Sequence, residues 1–132
     1  MKSRSKIDML KLREALEASW DSATSYLNIS EDGNPALGQC YPTSRVVQIL
    51  IPDSEIVEGQ VWTGSNMEKH FWNVIDVDGT PYYIDFTWQQ FPHGSSIKSH
   101  KIRDRSKLGD SPNTIERVKL LHTRVTDYLT HD

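Results

Sequence analysis

Apolar residues recur along this chain in two rhythms, and the switches between them divide it into elements. Met9, Leu12, Leu16 and Trp20 step by three and four residues, with Ala15 and Ala18 between them, which predicts an amphipathic helix over Lys6 to Ser19. From Asp21 to Gly38 the pattern lapses into Ser, Asn, Asp and Gly around the helix-stopping pair Asn34-Pro35, the signature of a loop. Helical spacing returns at Val46, Val47, Leu50 and Ile51 and stops at Pro52-Asp53. Proline is tolerated only in the first helical turn, where its missing N–H has no intrahelical partner, so Pro42 puts Cys40 at the helix entrance.

The next stretches are rich in β-branched and aromatic residues and predict strands over Ile56 to Trp62, Lys69 to Val77 and Thr80 to Phe86. Asp78-Gly79 joins the last two as a tight hairpin, because a primed turn needs positive φ at its centre. Three antiparallel strands are expected. His93 to Asp110 is polar and locally basic, and reads as a solvated surface excursion, with a short strand near Ile97 to Ile102 or a lid as the alternatives. A closing helix follows from the stripe Ile115, Val118, Leu121, Val125 and Leu129, with Asn113 and Glu116 spaced as a capping box. Helices packed on a small antiparallel sheet make an α+β fold.

At 132 residues the chain is long enough for one domain, spanning 1–132, to bury its own core. A net charge of −3 lacks the basic excess of nucleic-acid readers, so no nucleic-acid partner is expected. No run of about 18 apolar residues spans a membrane, and the basic N-terminus leads into no apolar segment of a signal peptide. With one cysteine no internal disulfide forms. A cytoplasmic location is expected, where Cys40 stays a free thiol.

That thiol is the first candidate for chemistry. Unpaired N–H groups and the positive end of the dipole at a helix entrance favour a thiolate, and the same groups can donate to an oxygen that gains charge during attack on a carbonyl. Downstream come His70, in His70-Phe71-Trp72-Asn73, and Asp85, in Ile84-Asp85-Phe86-Thr87. If Asp78-Gly79 is a two-residue turn, Val77 pairs with Thr80 and Trp72 with Asp85. His70 and Asp85 then lie diagonally on one face, roughly 7–8 Å apart between backbone positions, which side chains can bridge. Asp76 is too far along the same strand, and Asn73 points to the other face. Cys40 as nucleophile, His70 as base and Asp85 as orienter is a consistent set, with Thr87 on the Asp85 face as a supporting hydrogen-bond partner.

Each residue also has a plainer reading: a lone cysteine as a small buried hydrophobe, a half-buried strand histidine, and a carboxylate paired with a surface base. A zinc site from Cys40, His70, Asp85 and His93 lacks ligand spacing of the usual kind, and no metal is expected. No P-loop or dinucleotide-binding glycine pattern occurs, so no cofactor is expected either.

Gly38-Gln39-Cys40, His70-Phe71-Trp72-Asn73 and Asp85-Phe86-Thr87-Trp88-Gln89-Gln90-Phe91 together resemble the YunG-like family of small bacterial and phage-associated proteins. More distantly, the order of cysteine, strand histidine and next-strand aspartate resembles the papain-like superfamily in its transglutaminase and arylamine acetyltransferase branch. That likeness implies a papain-like core and the roles named above. In the papain branch an amide side chain shortly before the nucleophile helps to bind the oxyanion. Asn34 and Gln39 are so placed, and Gln39, next to the nucleophile, is preferred. The implied activity is thiol-dependent hydrolysis, deamidation or acyl transfer on an amide of a peptide, a protein or a glutamine side chain, by way of an acyl intermediate. The rival expectation is a non-catalytic peptide- or protein-binding module of the same fold, with Trp20, Trp62, Trp72 and Trp88 as anchors.

Overall fold

A computed structural model describes residues 8–29, 31 and 33–131. The fold is α+β, with three α-helices and one four-stranded antiparallel sheet among the described residues. Helix α1 covers Met9–Ser19, and Asp8 caps it by accepting from the Leu10 and Lys11 amides. The expected start at Lys6 lies outside the described residues. Helix α2 covers Cys40–Leu50, so the cysteine is its first residue.

Strands β1 (Glu55–Trp62), β2 (Met67–Val77), β3 (Thr80–Ile84) and β4 (Ser96–Ile102) are ordered β3-β2-β1-β4. The fourth strand corrects the expectation of a solvated excursion. Ile97 to Ile102 pairs with β1 through Val61↔Ile97 and Val57↔Ile102, with a register shift between Gln60 and Val61. The polar, basic sequence is that of an edge strand, whose charged side chains face water while its backbone satisfies the outer side of β1. Between β2 and β3, Val77 pairs with Thr80 and Asn73 with Ile84, which is the register expected from the turn. Asp78 and Gly79 have φ of 54° and 86°, the two positive values a type I′ turn requires.

Alternation along the strands gives the sheet two unlike faces. Ile75 joins the main core with Leu12, Leu16, Val46, Val47 and Leu121 from the three helices, while Ile84 and Phe86 pack against it. Asn73 on this face donates to the Ser44 carbonyl of α2 at 3.1 Å. The opposite face carries a smaller cluster of Val57, Trp72 and Val74. Gly59 allows it: a Cβ there would come within 2.6 Å of Trp72 Cζ3, so the indole lies flat over β1 only because no side chain intervenes.

Helix α3 covers Pro112–Thr130, and its cap also differs from expectation. Ser111 accepts from the Thr114 amide, with Pro112 in the first helical position, so the Asn113 and Glu116 pair lies inside the helix. Proline at the first position selects Ser111 as the cap, since a residue before proline prefers the extended backbone a cap requires. No helix among the described residues is long and apolar enough to cross a membrane.

Candidate active site

Strand β3 ends its pairing at Ile84, so the chain from Asp85 onward is free to turn across β2. Thr87 fixes that turn: its amide donates to Asp85 Oδ1 at 3.1 Å and its hydroxyl to the same oxygen at 3.4 Å. The second carboxylate oxygen lies 2.7 Å from His70 Nε2, on the side of the sheet that parity assigns to both residues. Trp88 to Gln90 then form a short 3-10 helix. It brings Trp88 and Phe91 edge-on to the imidazole at 5.8 and 4.8 Å, while Trp72 stacks on it at 5.3 Å. The ring is 0% exposed.

Burial alone pulls the His70 pKa down, and it is the largest single influence. The hydrogen bond to Asp85, the interaction with Cys40 and the negative charge of both together outweigh it, and the imidazole is pushed up to about 9. Its other nitrogen, Nδ1, is buried and makes no hydrogen bond to the described residues, and Cys40 is the remaining group acting on the ring. Asp85 thus holds the proton on Nε2 in the neutral ring, leaving Nδ1 as the free base.

Cys40 reaches this site from the loop of 21–38, whose geometry is set before the helix begins. Gly38 has φ of 75° and a Cβ there would collide with Ser25, so only glycine makes this approach. Gln39 is buried; its amide donates to the Asp21 carbonyl at 3.0 Å and accepts from the Thr24 hydroxyl at 2.8 Å, pinning the loop to the helix entrance. One Nε2 hydrogen of Gln39 remains for another acceptor. The backbone amides of Cys40 and Tyr41 have no hydrogen-bond partner among the described residues, whereas Thr43 already bonds back to the Gln39 carbonyl at 2.9 Å. Asn34 serves elsewhere, donating to the Gln90 carbonyl at 3.1 Å and so tying the loop before Cys40 to the segment after Asp85.

Asp85 and Cys40 both act on the His70 ring, Thr87 holds Asp85 and Gln39 directly precedes Cys40, so these five residues form one group. Among the tryptophans, Trp72 and Trp88 surround the histidine, whereas Trp20 is a core residue bonded to the Thr43 hydroxyl and Trp62 is partly exposed at the end of β1. Among the described residues no group of three His, Cys, Asp or Glu side chains is arranged to hold a metal ion.

Two hollows flank the group. One, of about 600 Å³, is walled by Trp72, Tyr83, Trp88 and Ile97 and opens on Asp85, with Lys98 and His100 from β4 at its side. The other, of about 410 Å³, lies against the first turn of α2 between Tyr26, Tyr41, Pro42 and Phe71. Sequence reasoning missed Ile97, Lys98, His100 and Tyr26, which carry no motif. The only available signal was the pair Ile97 and Ile102 bounding a polar strand.

A protein-family model for the YunG protein matches residues 8–130. The chain belongs to the YunG family. The match takes in all three motifs around Cys40, His70 and Asp85, together with both terminal helices, so this YunG chain carries the site within the family's common region. No curated protein and no solved structure matches it significantly.

Proposed function

We propose that this YunG-family chain is a thiol-dependent hydrolase or acyltransferase that acts on an amide, with Cys40 as nucleophile, His70 as proton carrier and Asp85 as orienter. The observation that carries the reading is the 2.7 Å hydrogen bond from a fully buried His70 to Asp85, with the ring's other nitrogen left to Cys40. A structural histidine in an apolar cage gains nothing from an unpaired buried nitrogen, which costs about 1–3 kcal/mol. A nitrogen awaiting a thiol proton or a leaving group explains it.

With its pKa pushed up to about 9, the ring holds the thiol proton on Nδ1 at neutral pH, and the imidazolium sits between the Asp85 carboxylate and the thiolate. The sulfur adds to the amide carbon, and the oxygen gains charge facing the Cys40 and Tyr41 amides, with the spare hydrogen of Gln39 as a further donor. The C–N bond breaks as the imidazolium protonates the departing nitrogen. Water, or an acceptor amine or alcohol, then gives its proton to His70 and attacks the thioester, freeing the thiol. Thr87 keeps Asp85 from rotating away. A cysteine opening a helix, followed by a histidine on one strand and an aspartate just past the end of the next, is the ground for proposing kinship with the papain-like and transglutaminase-like enzymes. An amide on a peptide or protein, including a glutamine side chain, is the proposed substrate class.

A binding module is the second reading, favoured by the low exposure of Cys40, 3%, and by the aromatic groove on the Asp85 side. Iodoacetamide at mildly acidic pH separates the two. Alkylation of Cys40 much faster than a model thiol, abolished with turnover of a glutamine-bearing peptide pool in His70→Ala, supports the enzyme. Inert Cys40 and an unmodified peptide pool overturn it.

A further inference from the structure

The smaller hollow has a composition unlike the rest of this acidic chain. Its walls are the rings of Tyr26, Tyr41 and Phe71 with Pro42, and its two charged lining residues are Lys69 and Arg117, both cations. Tyr41 and Pro42 directly follow the nucleophile in α2, so the hollow lies against the helical turn that Cys40 opens, while Lys69 and Phe71 reach it from the face of β2 opposite His70. Tyr26 links it to the sulfur: burial raises the phenol's pKa, and negative charge on Cys40 and then on Glu68 raises it further.

Of the two cations, Lys69 has a local acid beside it and Arg117 has none among the described residues. Glu58 is shared between Lys69 at 3.8 Å and Arg103 at 3.1 Å, and Arg103 also lies over the Phe71 ring at 5.9 Å. Asp110 is taken by Arg45, and Glu116 by Lys119. Arg117 has no ion-pair partner among the described residues and is half-buried. Lys69 and Arg117 thus line a concavity of about 410 Å³, large enough for a flat ring of about a dozen heavy atoms. Aromatic walls with a cationic rim recognise an apolar body that ends in an anion.

We propose that this hollow is the acyl-donor subsite, and that it selects an acyl group with a flat apolar body and a terminal carboxylate held by Lys69 and Arg117. The inference rests on the thiol chemistry above and adds the class of acyl group that chemistry receives. In the transfer the Cys40 sulfur bonds to the acyl carbon, the bond from that carbon to the leaving atom breaks, and the leaving group departs with the proton carried by His70.

Two measurements on the full chain keep the failures apart. The first is binding, with no reaction: 3-(4-carboxyphenyl)propanamide against 3-phenylpropanamide, followed by NMR at the Tyr26, Tyr41 and Phe71 rings of Cys40→Ser. The charged amide is expected to bind about tenfold tighter at low salt, and Lys69→Gln with Arg117→Gln to bring the ratio to about one. Equal binding of the two amides, or a preference that survives both substitutions, overturns the subsite. The second is acylation of the native chain by the N-acetylcysteamine thioesters of the same two acids, read as the mass added at Cys40. Faster acylation by the charged thioester supports the subsite, and equal rates overturn it. If neither acylates Cys40, the thiol-enzyme reading falls, and the binding ratio alone then decides whether the hollow is an anion-selective site.

Discussion

The Asp85 carboxylate that holds the His70 imidazole lies one residue beyond the last paired residue of β3. Had β3 continued to pair, a backbone ladder would have directed the carboxylate; instead the Thr87 amide and hydroxyl aim it. Asp85→Asn keeps the shape but loses the charge and reverses the proton preference at Nε2. The His70 titration, followed by ring NMR signals, is expected to fall from about 9 toward or below 6.5. Turnover is expected to fall by about two to four orders of magnitude with the fold retained. Cys40→Ala and His70→Ala are expected to abolish it.

The same pair makes stability depend on pH. The folded-state pKa of His70 is about 9 against an ordinary value of 6.5, so the folded state binds this proton more tightly than the unfolded chain does. The stabilisation is fully present below pH 6.5 and is lost as pH rises through 9. Urea melts at pH 6, 7.5 and 9 are expected to show a declining midpoint, and His70→Gln to remove that part of the slope. A midpoint that rises across this interval would contradict it.

Gly59 governs the wall behind the histidine. Gly59→Ala puts a methyl against the Trp72 indole, which must leave the place where it stacks on His70. A loss of about 1–3 kcal/mol in unfolding free energy is expected, together with a changed His70 titration. A distant destabilisation would leave that titration alone, so the pair of readouts checks the mechanism.

Helix α2 is anchored beside the nucleophile by Asp110, which accepts from the Tyr41 hydroxyl and pairs with Arg45 Nε at 2.7 Å. Tyr41→Phe removes one hydrogen bond and is expected to cost about 1 kcal/mol. Asp110→Asn leaves the partly buried Arg45 without its counter-ion and is expected to cost more, about 2–4 kcal/mol. Chemical denaturation of the two variants gives the order.

What the sequence determined by itself is local or follows by parity from something local. Pro42 places Cys40 in the first turn of a helix because of its own missing N–H. Asp78-Gly79 sets a two-residue turn, and strict alternation then carries His70 and Asp85 to one face many residues away. Tertiary structure decided whatever needed a partner distant in sequence. Ile97 to Ile102, a strand that its own residues offered only as an alternative to a solvated excursion, is settled as one by pairing along the outer edge of β1. The burial of His70 beneath Trp88 and Phe91 depends on a 3-10 turn tied through Asn34 to the loop before Cys40. The cationic hollow combines a loop, a helix entrance, a strand and the side of α3. Charges converge there because the chain packs, and a linear reading has no term for surfaces that meet only in three dimensions.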